Sequence, residues 1–205
     1  MNIFIIILTG YLLGGVNPAA MLAKFKQVDL RARGTKNLGA SNAMLVMGKK
    51  CGALVMVIDI FKAFFAVKIA KWMFPRVFCA GLLAGLAAVA GHVFPFHLNF
   101  RGGKGLAAFG GLVLAFDPAA FVFLLALGLA LMVVVNYSYV MPMSAATLFP
   151  VMELLRTGSV TVFFLCACAS GIVIVKHWGN IARAKRGEDI QIRSFIKEKL
   201  LGRDG

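Results

Sequence analysis

Apolar runs long enough to cross a bilayer recur along this chain, and most of its charges lie in the stretches between them. Residues 2–23 form the first run, with Gly10, Gly14 and Gly15 allowing close helix contact. Residues 52–74 form the second, despite Asp59, Lys62 and Lys68, and residues 78–96 form the third. Residues 106–116 are short for a full crossing, 119–137 span again, 141–155 are a shorter candidate and 160–175 come last. The predicted fold is all-α: a polytopic integral membrane protein of about seven transmembrane helices. Hydrophobic residues make up 60% of the chain, an excess that needs a bilayer to cover it. The first run has no basic n-region and no clear cleavage site, so it is expected to be a retained helix. One transmembrane domain is expected over 1–189. The tail, 190–205, holds Phe195, Ile196, Leu200 and Leu201 at spacings that fit an amphipathic helix on the membrane surface.

The net charge of +14 would suggest nucleic acid in a soluble protein, but here the cations sit at the ends of hydrophobic segments. With seven crossings, the 24–50 loop carries seven Lys and Arg, the 97–105 loop two and the 176–205 tail eight, all on one side. Lys71, Arg76 and Arg156 fall on the other. That asymmetry predicts a cytoplasmic basic side and C-terminus, with the N-terminus outside. Nucleic acid is not an expected partner. Cys51, Cys79, Cys166 and Cys168 form no C-x-x-C pair and read as small hydrophobes. No metal and no cofactor are expected.

Three polar clusters fall on the basic side. The first, residues 33–42, holds Thr35, Lys36, Asn37, Gly39, Ser41 and Asn42, a density of Gly, Asn and hydroxyls that suits a loop or helix start offering donors to an anion. A plain connecting loop uses the same residues. The second runs from Gly91 to Gly105, with His92, His97, Arg101 and Lys104 among Gly102, Gly103 and Gly105. Glycines beside a lysine let backbone N–H groups turn toward phosphate while the ammonium adds charge. It is not a Walker loop, because Gly105 stands where that motif has Ser or Thr. In the third cluster His177 and Asn180 are three apart and share a helix face, with Arg183 one turn on. Asp59 and Lys62 share a face within the second run. They read as a bracing pair, with a proton relay as the alternative.

These clusters resemble the bacterial membrane glycerol-3-phosphate acyltransferases that take their acyl group from acyl phosphate (the PlsY family). The likeness is carried by Tyr11–Gly14, by Val28–Arg31 leading into Gly34–Asn42, by Gly91–Pro95 through Gly105, and by Lys176, His177, Asn180, Ile181 and Arg183. Asp59 and Lys62 also sit where that family has an Asp and a Lys. The resemblance implies a seven-helix enzyme of the bacterial cytoplasmic membrane with its site facing the cytoplasm. It would transfer an acyl chain from acyl phosphate to the 1-hydroxyl of glycerol 3-phosphate, giving lysophosphatidic acid. Thr35, Lys104, His177 and Asn180 are then the expected catalytic residues. Lys36, Asn37, Gly39, Ser41, Asn42, His92, Gly102, Gly103 and Gly105 are the expected substrate-binding ones.

The chain departs from the family pattern at several positions. Thr35 and Lys36 replace a Ser and a Gly, Ser41 a Thr, Gly15 a Ser and Ala108 a Thr, and Leu45 stands where the family has a phosphate-binding Arg. Lys36 is one candidate for the missing charge, which predicts a raised KM for glycerol 3-phosphate in Lys36→Ala. The other readings are the same chemistry on a different acceptor, a weakened membrane protein that binds phosphorylated ligands, or a small transporter.

Overall fold

The structure, a computed structural model, describes residues 1–187 and 191–193. Its helices are α1 (Asn2–Gly15), α2 (Pro18–Phe25), α3 (Ala40–Met47), α4 (Lys49–Met73), α5 (Ala80–Val93), α6 (Leu106–Phe116), α7 (Pro118–Val135), α8 (Val140–Thr157) and α9 (Val160–Lys185). One 3₁₀ turn, Phe96–Leu98, follows α5. Among the described residues there is no β-strand, only an isolated bridge between Tyr137 and Gln191.

Among the described residues, four segments are long and apolar enough to cross a membrane: Asn2–Phe25, Ala80–Leu98, Pro118–Val135 and Val160–Lys185. The other three expected runs are helical but differ for local reasons. Helix α4 is 25 residues long and carries Asp59, Lys62 and Lys68, α6 has only 11 residues, and α8 holds Pro150, Glu153 and Arg156.

Two boundaries differ from the sequence reading. The first run is broken at Val16 and Asn17, where Pro18 opens α2 and the Asn17 side chain accepts from Ala20 N at 2.8 Å. A proline is comfortable at a helix start and removes the N–H that would have continued α1. The last run extends ten residues past the apolar stretch to Lys185, because a polar face through His177 and Asn180 is buried inside the bundle.

Small residues set the packing. A Cβ at Gly10 or Gly14 of α1 would overlap the backbone of Ala84 or Ala88 on α5, and one at Gly111 of α6 would overlap the Ile60 carbonyl on α4. Lipid tails are as apolar as the helices, so such close contact is what favours helix on helix. The main core joins α4, α5, α6, α7, α8 and α9, with Phe109 and Phe149 edge to face at 5.6 Å.

The amphipathic helix expected within 190–205 lies almost wholly outside the described residues. The described residues 191–193 pack on the end of α7. Ile192 N donates to Asn136 O at 3.2 Å, Arg193 N to Asn136 Oδ1 at 2.8 Å, and the Arg193 guanidinium to the carbonyls of Val133 and Val134. These are the carbonyls that α7 leaves without helical partners at its C-terminus.

Candidate active site

A cavity of about 460 Å³ opens where the three polar clusters meet. Its polar end is lined by Thr35, Asn37, Gly39 and Ser41 from the first cluster, Lys104 and Gly105 from the second, and His177, Asn180 and Arg183 from the third. Below them the wall turns apolar, through Leu106, Gly110 and Val113 of α6 to Leu124 of α7 and Met141 and Ala145 of α8. A site of this shape suits a molecule with an anionic head and an apolar tail.

On α9 the helical repeat puts His177, Asn180 and Arg183 on one face. The His177 ring donates Nδ1–H to Val173 O at 2.8 Å, which leaves Nε2 as the acceptor of the neutral ring. Asn180 Oδ1 accepts from Lys104 Nζ and from Arg183 Nη2, the latter at 3.0 Å. That oxygen fixes an ammonium and a guanidinium side by side at the polar end. Sequence spacing marked Arg183 as lying one turn beyond Asn180 but gave it no role.

Lys104 is delivered by the glycine loop, and the loop is held by α5. After the 3₁₀ turn, Asn99 and Phe100 both adopt left-handed backbone, with φ of 55° and 57°, and the chain doubles back. Gly102 N then donates to Val93 O at 3.0 Å and Gly103 N to His92 O at 3.1 Å. A Cβ on Gly102 would overlap the His92 carbonyl, and one on Gly103 would overlap the His92 ring. This corrects the expectation for Gly102 and Gly103: their amides are spent on α5, neither residue lines the cavity, and glycine is required for close approach. Gly105 starts α6 at φ 90° and does line the cavity.

Behind the loop lies a buried ionic cluster. Lys62 Nζ is 2.7 Å from Asp59 Oδ1, 2.9 Å from His92 Nδ1 and 2.6 Å from the Val16 carbonyl. Those three neighbours match the three N–H groups of an ammonium. The Val16 carbonyl is available because α1 breaks there. Asp59 and His92 also border the cavity, so the bracing pair is a triad that ties α4 to α5 and to the α1–α2 break.

The first cluster divides in two. Asn42 is fully buried, accepts from Thr35 N at 2.7 Å, and donates to Leu30 O, Arg33 O and Asn37 O. It organises the loop and does not border the cavity, which corrects its assignment to substrate. Lys36 is exposed at φ 58° and is likewise absent from the cavity wall. That conformation explains why glycine suits this position, and the structure does not bring Lys36 in to replace a missing arginine. Leu45, 37% exposed, does line the cavity. The first turn of α3, with Gly39 and Ser41 at the wall, turns a helix N-terminus toward the site.

An all-helical bundle with membrane-length apolar helices, a cation-lined polar mouth and an apolar inner wall is the frame of an integral membrane protein that handles phosphorylated lipids. The profile of the family described as glycerol-3-phosphate acyltransferase matches residues 4–187, and the chain belongs to that family. Similar curated proteins are the glycerol-3-phosphate acyltransferase of Thermoanaerobacter pseudethanolicus, 31% identical over 89% of this chain and 91% of that protein, and that of Staphylococcus aureus (strain JH9), 34% identical over 94% and 99%. Among solved structures, PlsY (YgiH), an integral membrane glycerol 3-phosphate acyltransferase, in its glycerol 3-phosphate form superposes with a TM-score of 0.87 at 30% identity, covering 94% of this chain and 96% of that one. Its lysophosphatidic acid form gives 0.84 at 29%, covering 93% and 95%.

Proposed function

We propose that this protein transfers an acyl chain from acyl phosphate to the 1-hydroxyl of glycerol 3-phosphate, giving lysophosphatidic acid and inorganic phosphate. The observation that carries this reading is the cavity itself, with Lys104, Asn180 and Arg183 at one end and a mostly apolar wall at the other. The acyl chain lies along α6 and α7, and the phosphoryl group stands beside Lys104. The acceptor hydroxyl attacks the acyl carbonyl carbon, the bond from that carbon to the phosphate oxygen breaks, and the hydroxyl proton leaves on hydrogen phosphate. Phosphate departs readily, so the site needs positioning and charge more than a strong base. His177 Nε2, as an acceptor, orients the attacking hydroxyl. Thr35, Asn37 and Ser41 supply polar contacts from the opposite wall.

The setting is the bacterial cytoplasmic membrane, crossed about seven times, with the basic loops and the polar mouth on the cytoplasmic side. Both the family membership and the asymmetry of Lys and Arg support this orientation.

The test is to incubate the purified protein with palmitoyl phosphate and glycerol 3-phosphate and to measure lysophosphatidic acid. Product is expected, and Lys104→Ala should lower kcat by about 10²–10³-fold with thermal unfolding unchanged. A folded, fully active Lys104→Ala variant would remove the loop from the active site.

A further inference from the structure

Two glycines stand side by side in α6 for different reasons. A Cβ at Gly111 would overlap the Ile60 carbonyl of α4, so close helix packing demands glycine there. Among the described residues, a Cβ at Gly110 would meet the Phe121 ring alone, at 3.5 Å, an ordinary contact. Glycine is a poor former of a helix interior, and the protein around Gly110 does not require it. What Gly110 faces is the cavity, which it lines together with Phe121.

The helical repeat fixes where along the cavity they stand. Leu106, Gly110 and Val113 share one face of α6 and all line the wall, as Phe121 and Leu124 do from α7. From Gly105 at the polar end to Val113 is about 12 Å at the helical rise per residue. Among the described residues, the wall takes nothing from α6 beyond Val113 and nothing from α7 before Phe121. Asp117 lies between the two helices, with Val113 and Phe121 equally spaced in sequence on either side of it. The deep end of the cavity is therefore the place where α6 and α7 draw together toward their turn, and the short length of α6 sets how deep it lies.

We propose that Gly110 and Phe121 set the length of acyl chain that the donor site accepts, a specificity that rests on the functional reading above. With the phosphoryl group beside Lys104, the chain runs down the α6 face, crosses the bare backbone of Gly110 and ends against the Phe121 ring. A side chain at position 110 would fill the width that a methylene chain needs. The ring at position 121 takes up the volume that further methylenes would need. A chain too long for the groove has to fold or leave the wall, and it loses the apolar burial that its last carbons would have gained.

The experiment measures kcat/KM for lauroyl, palmitoyl and arachidoyl phosphate, with glycerol 3-phosphate as acceptor, in the unmodified chain and in Gly110→Ala, Gly110→Val and Phe121→Ala. In Gly110→Val the ratio of palmitoyl to lauroyl phosphate should fall by about tenfold or more. Gly110→Ala should move the ratio the same way by less, with Tm not lowered, because its methyl group meets an ordinary contact. Phe121→Ala should act in the opposite sense and raise the ratio of arachidoyl to palmitoyl phosphate by about tenfold. Lysophosphatidic acid from the unmodified chain is the control, and its absence with every donor overturns the functional reading. With product present, ratios that stay fixed in the variants show that the chain does not pass between these residues, and overturn the proposal alone. Equal losses with all three donors, or a Gly110→Ala variant that fails to fold, would give these positions a packing role and equally overturn it.

Discussion

Lys62 donates to the main-chain carbonyl of Val16 across 2.6 Å, joining the middle of α4 to the point where α1 stops. Val16 is ordinary in sequence, whereas Lys62 is a charge inside an apolar run. Together they show why a lysine persists inside an apolar helix: the helix break frees an acceptor, and Asp59 and His92 complete the ring around the ammonium.

Removing one member of that cluster should therefore be costly. Lys62→Met leaves Asp59, 1% exposed, as a buried carboxylate without its main counter-charge. A loss of about 3–5 kcal/mol is expected. Unfolding in detergent should show it, and adding Asp59→Asn to Lys62→Met should recover part of the loss.

The glycine loop makes a different demand. Gly103→Ala places a methyl group against the His92 ring, in a site closed by the bond from Gly103 N to His92 O. Overpacking of this kind costs about 1–3 kcal/mol. Because the neighbouring residue is Lys104, activity should fall further than stability alone explains. Measuring kcat/KM and Tm on the same preparation separates the two effects.

Lys36 provides a test in the opposite direction. Its φ of 58° strains any residue with a Cβ, and its side chain is exposed outside the cavity wall. Lys36→Gly should stabilise the protein by up to about 1 kcal/mol and leave KM for glycerol 3-phosphate unchanged. A sharp rise in KM would restore Lys36 to the site.

Asn136 ends α7 in the left-handed region at φ 69° and receives the described part of the tail. Asn136→Gly keeps the backbone conformation and deletes the bond from Arg193 N. Faster tryptic cleavage after Arg193 is expected, with little change in Tm. An unchanged cleavage rate would mean that the bond from Ile192 N to the residue 136 carbonyl and the guanidinium contacts to Val133 and Val134 are enough to hold the tail.

The helical membrane-protein class, the three polar clusters and the pairing of Asp59 with Lys62 were readable from residue order, because hydropathy and i, i+3 spacing are local properties. So was the list from which the site is drawn: Thr35, Lys104, His177 and Asn180 all line one cavity. Tertiary structure decided how that list divides. Gly102 and Gly103 are glycines because α5 is in the way, Asn42 serves its own loop, Lys36 points outside, and Arg183 shares the Asn180 oxygen with Lys104. The physical reason is the same throughout. A loop sequence states which donors and charges exist, but a backbone amide or a cation can serve a ligand only where packing leaves it at the cavity wall, and that depends on residues far away in the chain.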